Sequence, residues 1–98
     1  MTPVEFINNV WYNETTRQML VHEPATDMAI TFNGGGTILD YDWSWLVNRY
    51  CGRDDYNWYA QCVIKDNIIT WTWGIISGEA YPLPDQIHKE LLLMCCIK

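Results

Sequence analysis

The chain has 98 residues, 49% of them hydrophobic in type, and twelve acids against six bases give it a net charge of −6. That length makes one domain, 1–98, with enough apolar material for a single core. The charge argues against direct nucleic-acid binding, which needs a basic stripe to release counterions. Here Arg17, Arg49, Arg53, Lys65, Lys89 and Lys98 are scattered.

The longest apolar run, Leu91 to Ile97, falls well short of a membrane-spanning segment. No basic stretch followed by an apolar one opens the chain, and Met1 stands first, so an intact cytoplasmic protein is expected. Cys51, Cys62, Cys95 and Cys96, at spacings of 11, 33 and 1, lack the repeated close pairs of a zinc site. They read as reduced cysteines behaving as small hydrophobes.

Thr2-Pro3-Val4-Glu5 is a helix start, with Thr2 as N-cap, Pro3 in the first turn and Glu5 completing a capping box. Val4, Ile7, Val10 and Trp11 extend an apolar stripe, and the helix is expected to fade near Asn13. Gln18 to His22 and Asp27 to Phe32 then read as two strands about the turn Glu23-Pro24-Ala25-Thr26. After Gly34-Gly35-Gly36, Asp40 or Asp42 caps a helix from Trp43 to Tyr50, with Gly52 just beyond its end.

The most strongly patterned element follows. Tyr56 to Ile64 and Ile68 to Ile76 flank Lys65-Asp66-Asn67, and a two-residue turn at Asp66-Asn67 pairs Lys65 with Ile68. Ile64 then faces Ile69, Cys62 faces Trp71, Ala60 faces Trp73 and Trp58 faces Ile75. Small residues lie opposite large ones on one apolar face, and the other face is far more polar. Ser77-Gly78 reads as the end of that strand, and Pro82-Leu83-Pro84 as an extended loop. Asp85 caps a last segment, Gln86 to about Cys96, which reads as helix with a buried strand as the alternative. The expected fold class is α+β: an antiparallel four-stranded sheet of two hairpins with two or three helices packed on one face.

No catalytic, cofactor or metal motif is present. His22 at a turn and His88 in the first turn of a helix read as surface histidines. The triple glycine is neither a P-loop nor a dinucleotide fingerprint, since no Gly-Lys-Ser/Thr follows and no helix opens there. Asp40, Asp42, Asp54 and Asp55 bracket the second helix without the alternation of a calcium loop. They form an acidic patch beside Tyr41, Trp45, Tyr50, Tyr56 and Trp58, and aromatic anchors within a charged rim are the make-up of an interaction hot spot. The candidate partner-binding residues are Asp40, Asp42, Trp45, Asp54, Asp55 and Tyr56.

In size, acidity, aromatic content and lack of catalytic signature, the chain resembles the small anti-defence proteins of phages and other mobile elements, anti-CRISPR proteins among them. That resemblance implies a non-enzymatic inhibitor in the host cytoplasm. It would occlude a basic nucleic-acid-binding surface on a protein partner, such as a member of a host nucleoprotein complex, with no direct contact to nucleic acid or membrane. Three alternatives stand beside it: an immunity protein or antitoxin, a small-ligand or carbohydrate binder using exposed Trp43, Trp45 and Trp58, and a minor enzyme built on His22 or His88.

Overall fold

The computed structural model describes residues 2–33, 37–51 and 60–95. In chain order they form α1 (Pro3–Asn8), β1 (Val10–Asn13), β2 (Gln18–Glu23), β3 (Met28–Asn33), the 3₁₀ helix Ile38–Asp40, α2 (Trp43–Tyr50), β4 (Ala60–Lys65), β5 (Ile68–Trp73), β6 (Ile76–Pro82) and α3 (Asp85–Cys95). The six strands make a closed antiparallel barrel in sequence order, β6 returning to β1. The expected four-stranded sheet with helices on one face is therefore wrong. Two strands were not anticipated, and they are the two whose pairing closes the barrel.

The first is β1. Thr2 caps α1 as expected, its hydroxyl accepting the Glu5 N–H at 3.2 Å. The helix nevertheless stops at Asn8, well before Asn13. Val10, Trp11 and Tyr12 are β-branched or aromatic and suit a strand better than a helix. Pairing with Val21, Leu20 and Met19 settles the matter. The second is β6, where Ser77 and Gly78 sit inside the strand and do not end it. β5 ends earlier than expected, at Trp73, because Gly74 turns the chain with φ +59°. Gly74 and Ile75 then form a two-residue hairpin that pairs Trp73 with Ile76. Pro82 closes the ring opposite Trp11 at the very end of β6, where a missing N–H costs the ladder least.

The Asp66-Asn67 hairpin is as read. Both residues have positive φ, 53° and 63°, and Lys65↔Ile68, Ile64↔Ile69 and Cys62↔Trp71 pair in register. On its other side β4 meets β3, where Ala60 pairs with Ala29, and the proposed Trp58–Ile75 pair involves a residue outside those described. Burial along this face is graded. Ala60, Ile69 and Trp71 are buried, while Ile64 and Trp73 are exposed at 43% and 40% and Ile75 sits bare at a turn.

Alternation sorts each strand into two faces. Leu20, Ala29, Ala60, Ile69, Trp71 and Ala80 fill the interior, with Trp11 and Cys62 packed at its margin. Three alanines leave room for one indole, as a small closed barrel requires. The outward residues Val10, Met19 and Val21 of β1 and β2 meet Phe6 and Ile7 of α1, Trp43, Leu46 and Val47 of α2, and Leu91 of α3. The C-terminal segment is helix as far as Cys95, which removes the strand alternative there. No helix among the described residues is long and apolar enough to cross a membrane.

Candidate functional site

Two regions concentrate polar chemistry. One is the mouth of the barrel where β2 ends. The turn from β2 to β3 is Pro24 to Asp27, closed by the Asp27 N–H donating to the Glu23 carbonyl at 2.8 Å, with Asp27 at φ 57°. His22 is the last inward-facing residue of β2 before this turn, and it is buried. Its Nε2 lies 2.7 Å from Asp27 Oδ1. The reading of His22 as a surface residue at a turn is thus corrected: strand alternation puts it on the face of Leu20.

The neighbouring wall is incomplete. β3 and β4 are joined by two pairs, Met28↔Gln61 and Ala29↔Ala60, after which β4 runs on while β3 has already turned away. Cys62 lies at this gap, a free thiol donating to the Asp27 carbonyl at 3.4 Å. Burial, aided by the Asp27 charge, pushes the Cys62 thiol from 9.0 up to about 11. An activated nucleophile is shifted the other way.

His88, at the start of α3, places its Nε2 2.7 Å from Asn8 Oδ1 at the end of α1. It is half-buried and not a free surface group. Both histidines line one cavity of about 330 Å³, together with Trp11, Ile64, Asn67 and Asp85.

The second region is the acidic edge before and along α2. Asp40 Oδ2 accepts the Thr37 N–H at 2.9 Å, and Asp42 Oδ1 accepts the Trp45 N–H at 3.1 Å as the N-cap of α2. Of the two alternatives Asp42 is the cap of α2, whereas Asp40 stands three residues after Thr37, the N-cap of the preceding 3₁₀ helix, and closes its capping box. Asp40, Asp42 and Trp45 are all exposed, Trp45 at 58%. These three thus stand exposed within one short stretch at the head of α2. Asp54, Asp55 and Tyr56 lie outside the described residues, as does Trp58.

Other aromatics assigned to the rim point elsewhere. Tyr41 donates its hydroxyl to the Arg17 carbonyl at 3.2 Å and packs near Trp43, and Tyr50 meets Phe32 edge-on at 5.1 Å. Burial raises the pKa of both phenols. Trp43 is buried and donates to the Ile38 carbonyl at 2.8 Å, so it offers no stacking face for a ligand.

The grouping of His22, Asp27 and Cys62 was missed from sequence because Cys62 is brought in by the β3–β4 pairing, a long-range contact. One signal was present: period-2 alternation places His22 with Leu20, and the hairpin register places Cys62 with Trp71, hence both inside. No protein-family model matches this chain, and neither a curated protein nor a solved structure matches it.

Proposed function

We propose that this protein works by binding: it docks its acidic edge on a protein with a basic surface, of the kind that holds nucleic acid, and inhibits that partner by occlusion. The observation that supports this reading is the arrangement at the head of α2. Asp40 and Asp42 are tied by backbone N–H groups yet keep exposed carboxylates, and Trp45 projects from the first turn beside them. Side chains already held in place lose less entropy on docking. Two fixed negative charges steer a basic partner into register, and an exposed indole supplies the apolar anchor. The net charge of −6 extends the same attraction over the whole molecule.

An immunity protein or antitoxin would present the same kind of edge to a toxin, and an adjacent toxin gene would single out that version. The test is affinity capture from a bacterial lysate at low salt. The wild type is compared with a variant carrying Asp40→Asn, Asp42→Asn and Trp45→Ala. A basic protein retained by the wild type, released by salt and absent from the variant's eluate is the expected result. Capture indifferent to both changes would point to a different surface.

A further inference from the structure

We propose that His22, Asp27 and Cys62 form a binding site for a borderline divalent transition ion, zinc foremost. An imidazole nitrogen, a carboxylate oxygen and a thiol sulfur lie within 4.8 Å of one another. They come from three separate pieces of backbone: the end of β2, the β2–β3 turn and β4. A tetrahedral zinc site, with bonds of about 2.0–2.3 Å, sets its ligand atoms roughly 3.3–3.8 Å apart. The His22–Asp27 contact at 2.7 Å has to open by about half an ångström for an ion to enter. Asp27 can supply that movement, because its side chain is 78% exposed whereas His22 is held in the barrel.

The donor set selects the ion. Thiolate and imidazole favour zinc and its neighbours, whereas calcium and magnesium require oxygen ligands throughout. Three protein ligands leave a fourth position open, as in zinc sites that bind water or an outside ligand. A groove of about 660 Å³, lined by Thr26, Asp27, Met28, Gln61, Cys62 and Val63 among others, opens beside the gap in the wall and gives the ion a way in. Binding exchanges the thiol hydrogen for the metal and releases a proton to solvent. None of Asp40, Asp42 or Trp45 takes part, so this site stands or falls apart from the docking edge.

The experiment titrates cobalt(II), then zinc in competition, into chelator-treated, reduced protein. The expected complex shows a near-ultraviolet thiolate-to-cobalt band and visible bands of tetrahedral intensity, saturating at equimolar metal. A variant with Cys51→Ala, Cys95→Ala and Cys96→Ala keeps the thiolate band, and Cys62→Ser loses it. Asp27→Ala weakens binding by at least the ~10–100-fold that loss of a mere supporting partner costs a metal site. Far-ultraviolet circular dichroism of each variant separates loss of ligand from loss of fold. No saturable complex, a thiolate band that survives Cys62→Ser, or affinity unchanged by Asp27→Ala in folded protein would overturn the proposal.

Discussion

The indole of Trp71 lies directly over the backbone of Gly78, its partner across the β5–β6 ladder. A Cβ added at position 78 would sit 2.8 Å from Cε2, Cζ2 and Nε1 of the ring. Trp71 is 4% exposed, so its ring has no open space to swing into. Glycine inside a strand is ordinarily a weakness, and alanine there would gain about 0.5–1 kcal/mol from backbone entropy. Overpacking costs about 1–3 kcal/mol and outweighs that gain. Gly78→Ala should therefore lower stability in urea or thermal melts. Adding Trp71→Phe, which shortens the ring, should recover part of the loss through coupling between neighbours. Trp71→Ala alone should cost ~3–5 kcal/mol.

Gly74 makes the opposite case. A Cβ there meets nothing within 4 Å, but the residue holds φ +59°. Gly74→Ala should cost ~1–2 kcal/mol from left-handed backbone alone. No partner substitution should rescue it. At the other hairpin Asn67 already tolerates φ 63°, so Asn67→Gly should be neutral or slightly stabilising in the same melts.

These two glycines show why the barrel was only partly legible. Strong local pattern carried the β4–β5 hairpin, because a one-residue slip there would expose Trp71 and bury threonines. It carried α2 as well, though the choice between Asp40 and Asp42 as its cap was left to the structure, which takes Asp42. Closure left no local mark. Val10 and Trp11 fit a helical stripe as well as a strand, and only pairing with β2 and β6 decides between them. Gly78 reads as punctuation when the Trp71 ring is not in view. The same limit applies to the two polar regions. Asp40, Asp42 and Trp45 are neighbours in sequence and were grouped on that basis, whereas Cys62 reaches His22 only through two strand pairings.

The raised pKa of Cys62 has a definite pH signature in metal-free protein. Its folded value of about 11 lies above the ordinary 9.0, so between those limits the folded state holds a proton that the unfolded state has lost. Stability then falls as pH rises through that window, and is unaffected by this group below it. Tyr41 and Tyr50, also raised, act in the same direction at the alkaline end. With the other three cysteines replaced by alanine, alkylation of Cys62 should inflect near pH 11 when folded and near 9.0 in denaturant. Coincident profiles would mean that the thiol is not shielded at the gap in the wall.

At the acidic edge, capping and charge can be separated, because asparagine caps a helix about as well as aspartate. Asp42→Asn keeps an oxygen for the Trp45 N–H and removes only the charge, whereas Asp42→Ala removes both. Asp42→Ala should cost ~1 kcal/mol of stability and Asp42→Asn a few tenths, the latter from the helix dipole. If the edge docks on a basic partner, the two variants should lose binding equally once stability is corrected for, and the loss should fall mainly on the association rate. Raising the salt should slow the wild type towards the variants, because the steering field is screened beyond about 10 Å at 0.1 M. Trp45→Ala should act instead on dissociation, as loss of an apolar anchor does, with stability nearly unchanged because the indole is mostly in solvent. If Asp42→Asn binds like wild type while Asp42→Ala does not, the aspartate serves only to hold the helix, and the partner reads the shape of α2 without its charge.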